Sequence, residues 1–369
     1  AMISLIRDFF KKTIILSGSL SSGRDVASAL QMGADIAYMG TRFINTKESL
    51  AEDAYIEMII NSLKRSFGKV SNMSLFTLGT MRATGNLDKM YSLIKTAHSS
   101  GINHLETAAS YGDAEILIGK ALKKLESLEN IPQKEWIITT KVLPKGDFTF
   151  LRKNFENSLS NLKLEKIDNL AIHGINLYEH LDWVLFGEGH KFLKWVMEKK
   201  LVDQIGFSSH GSYSLIEKSI NCGIFNFCNL HLHFFDQSKI NLAQYALAKN
   251  MGVLAISPAD KGGRLYAPSD LLLQASKPYH PLELAYRFLL SKGITTLSLG
   301  ATKLEDFNIV KKLTNANHKL TKLEISALEN IEKLANEELK SSKCEQCRSC
   351  LPCPSEIPIP EILRLRNIS

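Results

Sequence analysis

The chain has 369 residues, a net charge of +7, a hydrophobic fraction of 44% and a charged fraction of 22%. These ordinary values predict a globular protein of one large domain with an addition, or of two to three smaller domains. No apolar run approaches the ~20 residues of a membrane span, and no cleavable signal segment is recognisable, so we expect a cytoplasmic protein. No basic tract is interleaved with aromatic residues, which argues against nucleic-acid binding. The positive charge fits a lysine-rich surface or attraction of an anionic ligand such as a dinucleotide.

Short apolar runs recur from residue 73 to about residue 315 and predict buried strands. There are eight of them, at 75–80, 103–108, 136–142, 167–173, 204–209, 225–232, 253–258 and 295–301. Segments with helical spacing lie between them; in 114–125, for example, Ile118, Leu122 and Leu125 form one apolar stripe.

Eight strand–helix units over roughly 240 residues fit a (β/α)8 barrel. The strands are nearly continuous apolar runs, as expected for parallel strands that helices cover. An open doubly wound sheet is the main alternative, and we disfavour it because no G-x-G-x-x-G motif follows the first strand. The predicted fold is therefore an α/β TIM barrel over residues 73–335.

Two further segments flank the predicted barrel. Residues 1–72 contain two βα units, which cannot close a barrel alone. Their predicted strands lie at 13–18 and 35–40, and their predicted helices at 24–34 and 54–67. Residues 336–369 are rich in Cys and Pro and end in a predicted short amphipathic helix at 360–367.

Four ionisable residues fall at the carboxyl ends of neighbouring predicted strands. Glu106 ends the second strand, Tyr111 lies in the loop after it, Lys141 ends the third strand and His173 ends the fourth. The chemistry of (β/α)8 barrels lies at this end, so we expect the four side chains to meet. The set suits carbonyl reduction: Tyr donates a proton, a Lys ammonium lowers the Tyr pKa, a carboxylate holds the Lys, and His orients the carbonyl oxygen. Taken singly, each residue has an ordinary structural explanation.

The sequence around these positions resembles the aldo-keto reductase family. LETAASYGDAEILIGKAL (105–122) is similar to the second-strand signature of that family, ITTKV (138–142) to its lysine strand and DNLAIHG (168–174) to its histidine strand. The resemblance implies that Tyr111, Lys141, Glu106 and His173 are the catalytic residues of an NAD(P)H-dependent reductase of aldehydes or ketones. The family usually has Asp where this chain has Glu106, so we expect an altered or narrow activity.

The same resemblance implies a dinucleotide site. Segment 78–80 is similar to the nicotinamide contact, Ser208 and Ser209 to the carboxamide contact, and segments 257–265 and 300–307 to the loops over the pyrophosphate and the adenosine phosphate. The implied cofactor contacts are Gly79, Thr80, Ser208, Ser209, Asn229, Pro258, Lys261, Gly262, Gly300, Ala301, Thr302 and Lys303.

Two of the residues in segment 300–307 bear on the choice between the two nicotinamide cofactors. Lys303 is placed to meet a 2′-phosphate, whereas Asp306 falls where many NADPH-preferring members of the family have Arg. NADP and NAD therefore both stay open, with NADP slightly favoured.

Four cysteines crowd the C-terminal segment. Cys344, Cys347, Cys350 and Cys353 are spaced three apart, and Pro follows the last. Such crowding in a cytosolic protein favours a metal over disulfides, and thiolates suit iron–sulfur or zinc. The bacterial ferredoxin run has one residue more in its last gap.

The tail resembles the extension of a bacterial aldo-keto reductase subgroup with a ferredoxin-like motif, which implies a [4Fe–4S] cluster. Zinc and the absence of a metal remain alternatives. If one ligand came from elsewhere, Cys222 and Cys228 are candidates, although a buried structural role fits each of them better.

Residues 13–57 resemble the last third of nitronate monooxygenases, which are flavin-binding (β/α)8 barrels. Ser17–Gly18 and Gly40–Thr41 fall on the loops that hold the FMN phosphate in that family, and backbone N–H groups at a helix start bind phosphate well. The rest of that barrel has no counterpart here, and two βα units cannot enclose a flavin. We therefore expect no FMN on this chain and interpret the segment as a truncated neighbour domain, from a fusion or from adjoining genes read as one.

Three hypotheses follow. The first is the carbonyl reductase. The second is an NAD(P)H-binding electron-relay or sensing module, in which the cluster passes electrons to a partner; it needs an intermediate such as a flavin, because a hydride carries two electrons and a cluster usually accepts one. The third gives the cysteines a purely structural role, clamping the tail to the barrel.

Overall fold

The computed structural model divides the chain into two compact units, Ala1–Leu63 and Lys64–Ser369. The residues it describes are 15–17, 30–31, 34–38, 64–260, 262–314, 319–340, 344, 350–351, 353–355, 357–360 and 362–363. In the first unit, β1 (Ile15–Ser17) and β2 (Ile36–Tyr38) pair in parallel, as expected for successive βα units. Of the predicted helix 24–34, positions 30–31 and 34 are described; 30–31 are helical, and 34 is not. Of the FMN-loop positions, Gly18 and Gly40–Thr41 lie outside the described residues.

The second unit begins with a hairpin that the sequence did not predict. β3 (Arg65–Phe67) and β4 (Val70–Met73) pair in antiparallel fashion. Gly68, between them, has a φ of +57°, a conformation that stops a helix and that glycine tolerates best. The predicted helix 54–67 is therefore wrong at its last four residues, of which 64 is irregular and 65–67 form a strand. The compact unit begins at Lys64, ahead of the predicted boundary.

Eight parallel strands follow and close into a barrel. They are β5 (Phe76–Gly79), β6 (His104–Glu106), β7 (Ile137–Val142), β8 (Ile167–Ile172), β9 (Val202–Ser209), β10 (Phe227–His231), β11 (Gly252–Ile256) and β12 (Thr296–Leu299). Leu297 of β12 lies opposite Phe76 of β5, which closes the ring. The predicted (β/α)8 barrel and its eight strands are confirmed, and the open sheet is excluded.

Helices alternate with these strands and cover the barrel. They are α1 (Leu87–Ser99), α2 (Ala114–Glu129), α3 (Phe148–Leu162), α4 (Tyr178–Leu185), α5 (Glu188–Glu198), α6 (Tyr213–Asn221), α7 (Ile240–Ala248), α8 (Asp270–Ala275), α9 (Pro281–Ser291), α10 (Asn308–Thr314) and α11 (Lys322–Leu339). Short 3-10 helices lie at Gln133–Glu135, Arg264–Tyr266 and Leu304–Phe307. Thr321 and Glu324 begin α11 with a capping box, and this helix runs past the predicted tail boundary at 335/336. None of the helices in the described ranges has the length and apolar character that crossing a bilayer requires.

The hairpin closes the amino-terminal end of the barrel. Phe67 is fully buried, and its ring centre lies 4.9 Å from that of Phe227. Gln204 donates through Nε2 to the Phe67 carbonyl oxygen at 3.0 Å and accepts through Oε1 from the Lys69 amide at 2.8 Å. A Cβ on Gly252 would lie 2.4 Å from the Phe67 ring, so glycine there makes room for the ring. With this end closed, access to the barrel lies at the opposite, carboxyl end.

Inside the barrel, beyond the end that the hairpin closes, a set of polar side chains is joined by hydrogen bonds. The hydroxyl of Thr77 shares hydrogen bonds with Thr296 Oγ1 at 2.8 Å and with His104 Nδ1 at 2.6 Å. His104 Nε2 shares one with Thr139 Oγ1 at 2.7 Å, and Asn169 donates to that same oxygen at 3.0 Å. Both ring nitrogens of the buried His104 are thus satisfied while the imidazole is neutral, as buried polar groups require.

We expect His104 to make stability depend on pH. Burial, and then the Lys141 charge, lower the pKa of His104 to about 3, whereas an unfolded His has a pKa of ~6.5. The folded protein therefore holds fewer protons, and stability that is present above pH ~6.5 is lost as the pH falls towards 3. Between pH 7 and pH 5 this group alone should lower the free energy of unfolding by about 2 kcal/mol, measurable by urea unfolding at both pH values.

The His104→Gln variant should show a shallower dependence over the same interval. His190→Gln, at an exposed position of α5, controls for the substitution itself. An unchanged slope in His104→Gln would contradict a neutral, buried His104.

Candidate active site

A cavity of about 520 Å³ opens at the carboxyl ends of the barrel strands. Glu106, Tyr111, Lys141 and His173 all line it. The barrel therefore brings the four predicted catalytic residues to one place, because each lies at or just beyond the end of a strand that neighbours the next.

Lys141 is the centre of the polar contacts in this cavity. Its buried ammonium forms an ion pair with Glu106 Oε1. It also donates to the Thr107 carbonyl oxygen at 2.9 Å and to the Tyr111 hydroxyl at 3.1 Å. The longer side chain of Glu106, compared with Asp, does not prevent the pairing with Lys141.

The pKa of Tyr111 is raised, not lowered. Burial is the largest cause, the Glu106 charge acts in the same direction, and the charge and hydrogen bond of Lys141 oppose them without prevailing. Lys141 thus lowers the pKa of Tyr111 as expected, but burial and the Glu106 charge outweigh it, so the net pKa is raised and not lowered. Burial lowers the pKa of Lys141, but Glu106 and Tyr111 raise it by more. At neutral pH the site thus contains a charged Lys141 and a protonated Tyr111.

His173 contacts Tyr111, with the ring centres 5.8 Å apart and the rings edge to face. Burial, and then the Lys141 charge, lower the pKa of His173 to about 4, so the imidazole is neutral at neutral pH. Its Nδ1 lies 3.3 Å from the Ser110 hydroxyl. A neutral imidazole held at one nitrogen can present the other to a carbonyl oxygen. Sequence analysis missed Ser110; its place directly before Tyr111 was the available signal.

A second cavity of about 570 Å³ adjoins the first. The two share four lining residues, namely Arg82, Gly263, Tyr266 and Gly300. Together they have Tyr111 in one lining and Thr302 and Lys303 in the other. Two adjoining cavities suit a ligand with two separate parts.

Most of the predicted cofactor contacts line this space. Those on the first cavity are Gly79, Ser208, Pro258, Gly262 and Gly300, and those on the second are Gly300, Thr302 and Lys303.

Three of the remaining predicted contacts are buried and lie outside the two cavity linings. Thr80 and Ser209 are buried and donate to the carbonyl oxygens of Glu106 and Ile175 at 3.0 and 2.6 Å. Ala301 is fully buried. Lys261 lies outside the described residues. The side chains of Thr80 and Ser209 are therefore occupied within the protein.

Asn229 is a predicted contact whose side-chain amide has unsatisfied hydrogen-bonding groups. Its side chain is fully buried, and neither amide atom has a hydrogen-bond partner. It lies opposite Ser208 in the pairing of β10 with β9, so both side chains point to the same face. A buried polar group without a partner costs about 1–3 kcal/mol, which favours a role in binding something polar.

Arg82 was not predicted. It follows β5 in the chain, and its Nη2 donates to the Gly262 carbonyl oxygen at 2.7 Å. The contact joins the loop after β5 to the loop after β11 across the shared part of the two cavities. A single Arg in a loop is unremarkable in sequence; its place after the first barrel strand was the available signal.

Asp306, the residue that bears on the choice between NADP and NAD, has its carboxylate hydrogen-bonded within its own loop. Its Oδ2 accepts from the backbone amides of Thr302 at 2.8 Å and Lys303 at 3.2 Å, and the side chain is buried. The carboxylate therefore shapes the loop that presents Lys303.

The described part of the tail places three of the four clustered cysteines. Cys344 and Cys353 are half-buried and Cys350 is exposed, whereas Cys347 lies outside the described residues. The predicted four-cysteine site therefore stays a prediction. Of 360–367, positions 360 and 362–363 are described and helical.

The two isolated cysteines lie in the barrel unit. Burial raises the pKa of the Cys228 thiol to about 12 and also raises that of Cys222. Protonated thiols, buried at Cys228 and half-buried at Cys222, suit the structural role expected for both.

Comparison with known proteins decides the family. The sequence model of the aldo/keto reductase family matches residues 76–270, just over half of the chain. The chain belongs to the aldo/keto reductase family. A nitronate monooxygenase model also matches residues 1–117, which supports the resemblance seen in the N-terminal segment.

Individual relatives agree with this membership. D-arabinose 1-dehydrogenase of Saccharomyces cerevisiae is 26% identical over 207 residues, which cover 51% of this chain and 58% of the yeast protein. Aldo-keto reductase family 1 member A1 of Cricetulus griseus is 26% identical over 223 residues, or 54% of this chain and 65% of that protein. This chain thus spans less than two thirds of the length of either relative.

A solved structure agrees with the fold. An aldo-keto reductase from Bacillus halodurans, described as a holo form, superposes with a TM-score of 0.61 at 19% identity and covers 73% of this chain and 95% of its own. Membership of the aldo/keto reductase family supports an oxidoreductase and does not favour an electron-relay role.

Proposed function

We propose that this aldo/keto reductase uses NAD(P)H to reduce an aldehyde or ketone, with Tyr111 as the proton donor. The observation that carries the proposal is the Lys141 ammonium, which contacts both the Tyr111 hydroxyl and the Glu106 carboxylate inside one cavity. That arrangement suits a phenol that must release a proton and recover it.

The protein's part in the reaction follows from these contacts. When bound, the reduced nicotinamide supplies a hydride to the carbonyl carbon. Tyr111 Oη gives its proton to the carbonyl oxygen, so the product is an alcohol, and Tyr111 recovers a proton from water. Lys141 stabilises the phenolate formed at that moment, and Glu106 keeps Lys141 charged and in place. His173 donates a hydrogen bond to the carbonyl oxygen and orients the substrate.

The residues present suit a nicotinamide dinucleotide. The unsatisfied amide of Asn229 and the neighbouring Ser208 are proposed to hold the carboxamide, with Gly79, Thr80 and Ser209 nearby. Segment 258–262 is proposed to cover the pyrophosphate, with Pro258, Lys261 and Gly262 as contacts. Segment 300–303, from Gly300 and Ala301 to Thr302 and Lys303, is proposed to hold the adenosine phosphate, because part of it lines the far cavity.

Oxidation of NADPH or NADH in the presence of a panel of aldehydes and ketones tests the proposal. We expect consumption that depends on the carbonyl compound and yields an equal amount of alcohol. Tight binding of NADPH without turnover of any panel member would instead favour a sensing role.

Substituting Lys303 should change the cofactor preference. We expect Lys303→Ala to raise the KM for NADPH tenfold or more, because a charged hydrogen bond contributes about 1.5–3 kcal/mol, and to change the KM for NADH little. Lys194→Ala, at an exposed position of α5, serves as the control. Equal effects on both cofactors would argue against a contact between Lys303 and a 2′-phosphate.

The cysteine tail is proposed to bind a soft metal centre, preferably a [4Fe–4S] cluster. Four thiols at this spacing are a donor set that suits iron–sulfur chemistry. Anaerobic purification followed by analysis of iron, sulfide and zinc distinguishes the cluster from zinc and from an unmetallated tail. Only if iron and sulfide are found would we propose a partner protein that exchanges electrons with the cluster.

A further inference from the structure

The end of β10 carries a second group of chemically active side chains that the proposed reductase reaction does not use. The sequence there is His-x-His-x-x-Asp, with His231 as the last residue of the strand. Alternate residues of extended chain share a face, so His231 and His233 point to the same side, and both are buried. The chain then turns back, and Asp236 donates its amide to the His233 carbonyl oxygen at 3.2 Å. This turn returns a carboxylate to the two imidazoles.

The three side chains lie close enough to share one ion. A ligand atom from each of His231, His233 and Asp236 lies within 4.8 Å of the other two. No other trio of His, Cys, Asp and Glu in the described ranges converges in this way. A tetrahedral zinc with bonds of ~2.0–2.1 Å holds its ligands ~3.4 Å apart. Donors at the 4.8 Å limit therefore need to draw together by about 1.4 Å, which side-chain rotations can supply.

We propose that His231, His233 and Asp236 form a binding site for a divalent transition-metal ion of the zinc class. Two imidazoles with one carboxylate favour zinc, iron, nickel or copper over magnesium or calcium, which prefer oxygen ligands alone. Asp236 supplies the negative charge that two neutral imidazoles lack. This site is separate from the cysteine tail and uses no thiol.

Neighbouring groups already orient two of the three ligands. Asp236 Oδ1 accepts hydrogen bonds from the Ser238 amide at 3.2 Å and from the Ser238 hydroxyl at 2.6 Å. These bonds fix the carboxylate. Asp260 Oδ1 lies 3.7 Å from His233 Nε2, the place of the outer carboxylate that commonly accompanies a metal-bound imidazole and sets its orientation.

The site adjoins the reductase cavity through two neighbouring residues. His210, whose ring centre is 5.8 Å from that of His231, lines that cavity, and so does Asp260. Three protein ligands leave at least one coordination position for a fourth ligand. His210 or a water molecule is suited to fill it.

Cobalt titration of the full-length protein tests the proposal and excludes the tail as the source. The background variant carries Cys344→Ser, Cys347→Ser, Cys350→Ser and Cys353→Ser, and it is stripped of metal with a chelator before Co²⁺ is added. We expect one equivalent of Co²⁺ to bind with visible d–d bands and no thiolate charge-transfer absorption. Zn²⁺ should displace it.

Variants of the proposed ligands decide the assignment. We expect Asp260→Asn, which removes the carboxylate that orients His233, to weaken Co²⁺ binding about 10–100-fold. The effect should be larger for each variant of a proposed ligand, namely His231→Gln, His233→Gln and Asp236→Asn. Asp182→Asn, at an exposed position of α4, should leave the affinity unchanged. Circular dichroism verifies that each variant is folded.

Two outcomes would overturn the proposal: stoichiometric metal that disappears with the four cysteines, or unchanged affinity in folded Asp236→Asn and His233→Gln. Because the measurement is metal affinity, its result does not depend on whether the protein reduces carbonyl compounds. A lack of turnover with intact Co²⁺ binding would refute the reductase proposal alone.

Discussion

Tyr111→Phe is expected to lower kcat for carbonyl reduction by about 10²–10⁴-fold, the usual contribution of a positioned proton donor. The variant keeps the ring and loses only the hydroxyl. Lys141 keeps its contacts to Glu106 and to the Thr107 carbonyl oxygen, so the cavity should retain its shape. Nucleotide binding, measured by fluorescence titration, should therefore be unchanged while turnover is lost.

Tyr245→Phe provides the matched control, because it removes one hydrogen-bonded hydroxyl, to Asn221 Oδ1 at 2.7 Å, outside the cavity lining. It should leave kcat within twofold or so of the starting enzyme, since isolated surface changes have small effects. Full activity in Tyr111→Phe would show that another group donates the proton.

Phe67→Ala is expected to lower the free energy of unfolding by about 3–5 kcal/mol, the usual cost of removing a buried Phe ring. The ring packs in a cluster with Met73, Ile137, Phe227 and Leu254. Hydrogen bonds between the hairpin backbone and the Gln204 side chain limit how far the surroundings can collapse into the gap. Chemical denaturation followed by fluorescence measures the change.

Phe186→Ala is the control for this substitution, because Phe186 is 82% exposed. Surface changes of this kind lie within about ±0.5 kcal/mol. A loss below about 1 kcal/mol in Phe67→Ala would mean that the hairpin contributes little to the barrel.

The barrel was predictable because its signal is local. Each strand is a short apolar run, and each helix shows its own apolar stripe, so no knowledge of distant residues was needed. The hairpin was not predictable in this way. Arg65–Phe67 continue a stretch with helical spacing, and they become a strand because Gly68 turns the chain and Phe67 fits against Gly252 and Phe227, which lie far away in sequence.

The location of the site was predictable from the same rule, since the ends of successive parallel strands meet. Its electrostatics were not. Whether Lys141 or burial dominates the pKa of Tyr111 depends on Glu106 and on how much water the closed wall excludes. The group at His231 also needed the structure, because a His-x-His pair becomes a candidate metal site only when Asp236 turns back towards it.

The hairpin also bears on how this protein is divided for expression. A shortened version that starts at Met73 would contain every barrel strand and every proposed catalytic residue, yet it would lack Phe67 and the backbone groups that Gln204 binds. Phe227 and Leu254 would then face water at the bottom of the barrel. A shortened protein that still excludes water from the amino-terminal end of the barrel must begin no later than Lys64. Sequence similarity alone assigns that residue to the nitronate monooxygenase segment.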